Sequence, residues 1–249
     1  MTEWPPGYDR IILAEVDSTL DEAVRRVGEV AAPTWIFAHH QSAARGRRGR
    51  TWSHPKGNFA ATLVLPDVTP GVLAALRSFV ASLALFDAFV AATGRIDPFA
   101  VKWPNDVLLN GGKVAGILLE SISRQGAAPA LAIGIGVNLA EAPPEDAVEA
   151  GALRPVALAQ EAGAHVPPED FLTLLAGAYA DHETRLRQFG FAPLRQAWLE
   201  RAARLGEVIT ARLPGEEITG VFETVDASGQ LVLSTAEGRR VIAAADVFF

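Results

Sequence analysis

Residues 99–121 read FAVKWPNDVLLNGGKVAGILLES. Two short β-rich runs, Phe99–Trp103 and Val107–Leu109, are interrupted by Pro104-Asn105-Asp106. Pro104 removes one backbone donor and holds Trp103 extended, so the interruption reads as a turn and not as a helix start. Asn110-Gly111-Gly112 is a strong hairpin signal, and Lys113–Ser121 is the returning strand. Strands linked by turns this short pair antiparallel, which makes a sheet the centre of the fold.

Outward from that meander, Arg10–Val16 is a first strand. Ser18 and Thr19 then open a helix, with Thr19 and Glu22 at capping-box spacing. Thr34–His39 and Asn58–Leu65 are predicted to form an antiparallel pair around a long loop. A helix over about 70–93 carries its large residues at 72, 76, 79, 83, 86 and 90. With Arg77, Ser78, Ser82 and Asp87 inside it, that stripe is expected to face a core and not to cross a membrane. Ala130–Leu139 is a buried strand whose Gly134 and Gly136 allow close backbone approach. Helices are predicted over Pro155–Ala162, Pro168–Phe189 and Ala192–Leu205. Short strands follow at Glu207–Leu213, Glu217–Val225, Gln230–Ser234, Arg239–Ile242 and Val247–Phe249. The expected class is α+β: a mixed β-sheet with helices on one side, residues 1–205, plus a small β-barrel, residues 206–249. A barrel that short is near the lower limit for folding alone and should dock on the larger unit.

Composition narrows the chemistry. Apolar residues are 49% of the 249, enough for a sizeable core and against wholesale disorder. Cysteine is absent, which excludes disulfides, a thiolate metal site and a cysteine nucleophile. The start, MTEWPPGYDR, has no basic and apolar signal-peptide pattern, so a cytoplasmic protein with no membrane role is expected. Three of the 22 basic residues are lysines, and Lys56, Lys102 and Lys113 all fall between 56 and 113.

Gln41–Trp52, QSAARGRRGRTW, sets Arg45, Arg47, Arg48 and Arg50 among Gly46 and Gly49 in a chain of net charge -7. Like charges so dense do not build a core, and guanidinium forks match phosphate or carboxylate. A nucleic-acid arm and a solvated loop are the other readings. Charge confined to one loop of an acidic protein favours a local anion site over nucleic acid. Lys102-Trp103-Pro104-Asn105-Asp106 adds a cation and two polar side chains at a strand end. Lys113 begins the next strand, with Gly116 three residues on, where a larger side chain would block the same sheet end. Ser18 and Thr19 are ordinary helix caps, but their helix start offers free N–H groups to an acceptor.

In this order, Ser18-Thr19, QSAARGRRGRTW, KWPND, GGKVAGILLE and GIGVN together resemble the biotin protein ligase family, over about residues 10–140. The carboxy-terminal strands resemble that family's small SH3-like domain, and the larger unit its class II synthetase-like catalytic domain. The resemblance implies ATP-dependent activation of biotin to biotinyl-5′-AMP. Transfer to one lysine of a biotin carboxyl carrier protein, of the acetyl-CoA carboxylase type, follows. It implies Ser18, Thr19, Gln41, Arg45, Gly46, Arg47, Lys113 and Gly116 against biotin. Arg47, Trp52, Lys102, Asn105, Asp106, Lys113 and Asn138 fall on the ATP and adenylate side, with Mg²⁺ near Asp106. Lys113 and Arg47 are implied as catalytic, while Arg48 and Arg50 tune a loop that orders when the adenylate forms.

Two positions depart from the family's pattern. Leu20 stands where Asn is usual, and Ala44 where Gly is usual. The runner-up is a lipoate-protein ligase of the same superfamily, which generally lacks the GRRGR loop. A ligase that also represses transcription needs a helix-turn-helix domain of about 60 residues before the first strand. Nine residues precede Arg10, so no DNA partner is expected. Monomer and homodimer both remain open.

Overall fold

The computed structural model describes residues 3–46, 49–66, 68, 71–123, 129–148 and 151–249. The chain runs β1 (Asp9–Val16), α1 (Thr19–Arg26), β2 (Thr34–Gln41), β3 (Phe59–Leu65), α2 (Val72–Ala75) and α3 (Arg77–Thr93). It continues through β4 (Phe99–Lys102), β5 (Asp106–Leu109), β6 (Gly112–Ile122), β7 (Ala130–Val137) and α4 (Leu158–Ala162). Then come α5 (Pro168–Phe189), α6 (Phe191–Leu199), β8 (Val208–Leu213), β9 (Glu216–Val225), β10 (Leu231–Thr235), β11 (Gly238–Ile242) and β12 (Asp246–Phe248).

The first seven strands form one mixed sheet in the order β1-β2-β3-β7-β6-β5-β4. β1 and β2 are parallel because α1 carries the chain back between them. Every other neighbouring pair is antiparallel. The hairpin at Asn110-Gly111 has φ of 50° and 78°, the positive values a two-residue turn needs.

Strand parity separates the faces. Phe59, Ala61, Leu63 and Leu65 of β3, with Leu131, Ile133, Ile135 and Val137 of β7, enter the main core under α3 and α5. The intervening Val64, Ala130 and Ala132 meet Leu20, Ala23 and Val27 of α1 on the other face. The long helices thus share one face, as expected, and the eight-residue α1 occupies the opposite one. The helix expected over about 70–93 is divided at Leu76 into α2 and α3, and Val72 of its stripe is exposed, but the α3 part is a core helix: Phe79, Val80, Leu83, Leu85, Phe86 and Phe89 are all buried.

Three local expectations change. The α1 cap is Ser18, whose hydroxyl accepts from the Asp21 backbone N–H at 3.4 Å, one residue earlier than predicted. Glu22 pairs with Arg25 and Arg26 instead. Residues 155–157 are extended and not helical. Lys113 N–H donates to Arg154 O (2.8 Å) and Val156 N–H to Lys113 O (3.0 Å), so pairing with β6 overrides helix propensity. The helix predicted to Leu205 ends at Leu199, because residues 201–203 cover the outer edge of β4 through Val101 N–H to Arg201 O and Ala203 N–H to Val101 O.

The last five strands form an antiparallel sheet in the order β11-β10-β9-β8-β12, the SH3-like unit that the resemblance implies. Trp198 is buried at the junction, 5.2 Å from the Phe79 ring and 6.5 Å from Phe222. Its indole N–H donates to Ser82 Oγ at 3.0 Å. Trp103 Nε1 donates to Gly229 O at 3.0 Å, tying the meander's turn to the small sheet.

Candidate active site

A cavity of about 660 Å³ opens on the α1 face of the large sheet. Its floor is made by missing side chains. A Cβ at Gly136 would sit 2.5 Å from the Trp52 ring, one at Gly116 3.1 Å from it, and one at Gly134 2.8 Å from Leu20. The Gly134 and Gly136 spacing of two puts both gaps on one face of β7, so the close approach expected there is made by Leu20 and Trp52.

Lys113 reaches the same face through an irregularity. In an even strand, residues three apart point to opposite faces. The β5–β6 register shifts between Val107 and Leu108, leaving Val114 as an extra residue. That bulge turns Lys113 toward Gly116, where a Cβ would lie 3.3 Å from Lys113 Cε. Lys113 Nζ is 2.7 Å from Asp106 Oδ1, and the buried Lys102 Nζ is 3.8 Å from Asp106 Oδ2. Two ammoniums flank one carboxylate, so this triad carries one net positive charge. Lys113 also lies over the Trp52 ring, 5.5 Å from its centroid.

The opposite end is a network of neutral groups. Gln41 Oε1 accepts from Thr19 N–H (2.7 Å) and Thr19 Oγ1 (3.0 Å), and Thr62 Oγ1 donates to Thr19 Oγ1 (2.9 Å). The Thr19 N–H expected to be free at the helix start is therefore taken by Gln41. With its carbonyl committed, Gln41 keeps its two amide donors for the cavity it lines.

Arg45 lies in the wall but makes no open anion hole. Its guanidinium donates to Glu120 and to Asp21 (Nη2 to Oδ1, 2.8 Å), and the Glu120 hydrogen bond leads in holding its pKa above the ordinary arginine value. Gly46 N–H to Arg50 O (2.6 Å) and Trp52 N–H to Ala44 O (2.9 Å) close the base of the loop, with Ala44 buried. Arg47 and Arg48 lie outside the described residues. Arg50 Nη2 is 3.2 Å from Asp246 Oδ2, so β12 of the small sheet reaches the cavity rim.

Of the residues singled out from sequence, Ser18, Thr19, Gln41, Arg45, Gly46, Trp52, Asn105, Asp106, Lys113, Gly116 and Asn138 all line this cavity. Lys102 stands behind Asp106. Asn105 is clamped to β6 by Nδ2 to Ile117 O at 2.5 Å, and Asn138 Nδ2 donates to Val156 O at 3.1 Å. Sequence reading missed Leu20 as floor, Asp246 as rim, and the stretch of Pro143, Leu153 and Pro155 as wall. It also missed His54 and Asn58, which brace the loop from behind. Paired glycines in β7 were a signal for the floor. Nothing local marks Asp246, because its neighbour Arg50 is 196 residues away.

A sheet floored by glycine gaps, with a cationic triad at one end, defines the class. Residues 12–138 match the Biotin/lipoate A/B protein ligase family, and residues 205–249 match the Biotin protein ligase C terminal domain. Within that class the chain belongs to the biotin protein ligases. It is 54% identical over 238 residues to a biotin--[acetyl-CoA-carboxylase] ligase of Paracoccus denitrificans, covering 96% of this chain and 99% of the relative. It is 30% identical over 228 residues to the bifunctional ligase/repressor BirA of Escherichia coli, 91% of this chain and 70% of that one. The solved biotin protein ligase from Aquifex aeolicus in complex with biotin and ATP superposes with a TM-score of 0.82 at 25% identity, covering 96% of this chain and 98% of that one.

Proposed function

We infer that the protein is an ATP-dependent biotin protein ligase that makes biotinyl-5′-AMP and passes biotin to a lysine of a biotin carboxyl carrier domain of the acetyl-CoA carboxylase type. The Lys113–Asp106–Lys102 triad at the cavity end carries this reading. In the first step a carboxylate attacks the α-phosphate and pyrophosphate leaves, so two anions must meet. Fixed cations stabilise that spread of charge without having to reorganise. In the second step the carrier's ε-amine attacks the acyl carbonyl and AMP leaves.

In this reading Ser18, Thr19 and Gln41 meet the uncharged end of biotin, with Gln41 offering its amide donors. Arg45 and Gly46 form a wall, and Gly116 keeps the way open to Lys113. Trp52, Asn105, Asp106 and Asn138 take the nucleotide side, with Lys102 supporting. Arg47 covers the acyl-phosphate, and Arg47→Gly is expected to form adenylate but release it into solution. Among the described residues no three His, Cys, Asp or Glu side chains gather as a metal site. Mg²⁺ arriving with ATP would be held chiefly by the phosphate oxygens, with Asp106 as the carboxylate beside it, and would neutralise their charge.

The test is incorporation of labelled biotin into a purified carrier domain. Label on the carrier lysine only with ATP is expected; lipoate in its place, or no label, overturns the reading.

A further inference from the structure

His54 is a buried imidazole just after the arginine loop, with no part in the ligand contacts assigned above. Its Nδ1 accepts from the Gln41 backbone N–H at 3.1 Å, and its Nε2 lies 3.1 Å from Asn58 O. A carbonyl only accepts, so Nε2 carries the hydrogen, and an Nδ1 that accepts carries none. Both bonds together require the neutral Nε2–H ring. Asn58 in turn is anchored: its Oδ1 accepts from Ala140 N–H (2.9 Å) and Glu141 N–H (3.1 Å), and its Nδ2 donates to Glu141 O (2.7 Å).

We propose that His54 is a positioning residue for biotin, holding the end of β2 so that the Gln41 carboxamide meets the ligand in register. The inference rests on the proposed function, with Gln41 at the biotin end. Protonation at Nδ1 would remove the acceptor and set two N–H groups against each other. Burial already disfavours the charged ring. The titratable group acting on it is His40 of β2, stacked with ring centroids 6.3 Å apart. No hydrogen bond or ion pair joins the ring to Lys56 of its own turn or to Glu141 among the described residues.

Two isosteres separate the bonds. Asn places Oδ1 the same number of bonds from Cβ as Nδ1, and Gln places Nε2 where the ring has its donor. Binding of biotin without ATP is measured by calorimetry from pH 5 to 8 on the full chain, with melting temperatures recorded for each variant. His54→Gln, which keeps the Asn58 bond and loses the Gln41 acceptor, is expected to weaken biotin binding roughly fivefold at pH 8. His54→Asn, which keeps the acceptor, is expected to restore most of that affinity. Acidification is expected to weaken biotin binding by the parent, and that loss should be absent in His54→Asn. Equal weakening by both variants, unchanged binding by His54→Gln, or an unaltered acid limb in His54→Asn overturns the proposal. A parent that binds no biotin at all overturns the functional reading instead.

Discussion

Lys113 does different work for stability and for chemistry. Its side chain is 31% exposed and its pairing with Asp106 is partly screened, so the fold depends little on it. Lys113→Ala is therefore expected to keep a near-parental melting temperature while adenylate formation, followed by pyrophosphate release, falls by about a hundredfold or more. Normal pyrophosphate release would remove Lys113 from the reaction centre. His54 gives a residue-scale pH dependence. Its folded pKa is lowered by burial below the ordinary imidazole value, so the folded state prefers the neutral ring. The stability it contributes is present above the unfolded pKa and lost as pH falls from there through the folded one. The parent's chemical-denaturation midpoint should drop more than that of His54→Asn as pH falls below about 6.5.

At the scale of elements, β7 shows how a strand can be both core and floor. Its odd-numbered residues are apolar and buried, while Gly134 and Gly136 leave room for Leu20 and Trp52. Gly136→Ala puts a methyl 2.5 Å from a rigid indole held between sheet and Lys113. Overpacking of this kind costs about 1–3 kcal/mol, and here it should also raise the KM for ATP, measured by initial rates. Gly134→Ala meets the flexible side chain of Leu20, so Leu20→Ala should recover much of its lost stability in a double-mutant cycle of thermal melts. The strands, the hairpin at Asn110-Gly111 and the paired glycines were legible in the sequence because they are local signals. The bulge at Val114 was not, since it exists only in the pairing of β6 with β5. The same holds for residues 155–157 and 201–203, whose backbone bonds to Lys113 and Val101 exist only because each segment meets a strand edge.

Across the whole molecule, the two sheets are joined through aromatic packing. Phe222 of the small sheet is buried against Trp198, which itself meets Phe79 of α3 edge to face. Phe222→Ala should cost about 3–5 kcal/mol, and calorimetry should show one transition moved as a unit. Two separated transitions would show that the small sheet melts by itself. The same junction sets Asp246 beside Arg50, so the arginine loop is braced from a unit that follows it by nearly the length of the chain. The order of motifs determined the family, the strand pattern and the polar and charged side chains at the two ends of the cavity, because spacing along a chain already encodes parity, turns and glycine gaps. Tertiary structure alone decided how their charges are used. Arg45, one of four clustered cations in the sequence, is neutralised by Asp21 and Glu120, whereas Lys113 and Lys102 flank the single carboxylate of Asp106. The balance of charge at a point depends on partners brought together through space, and no local spacing contains that information.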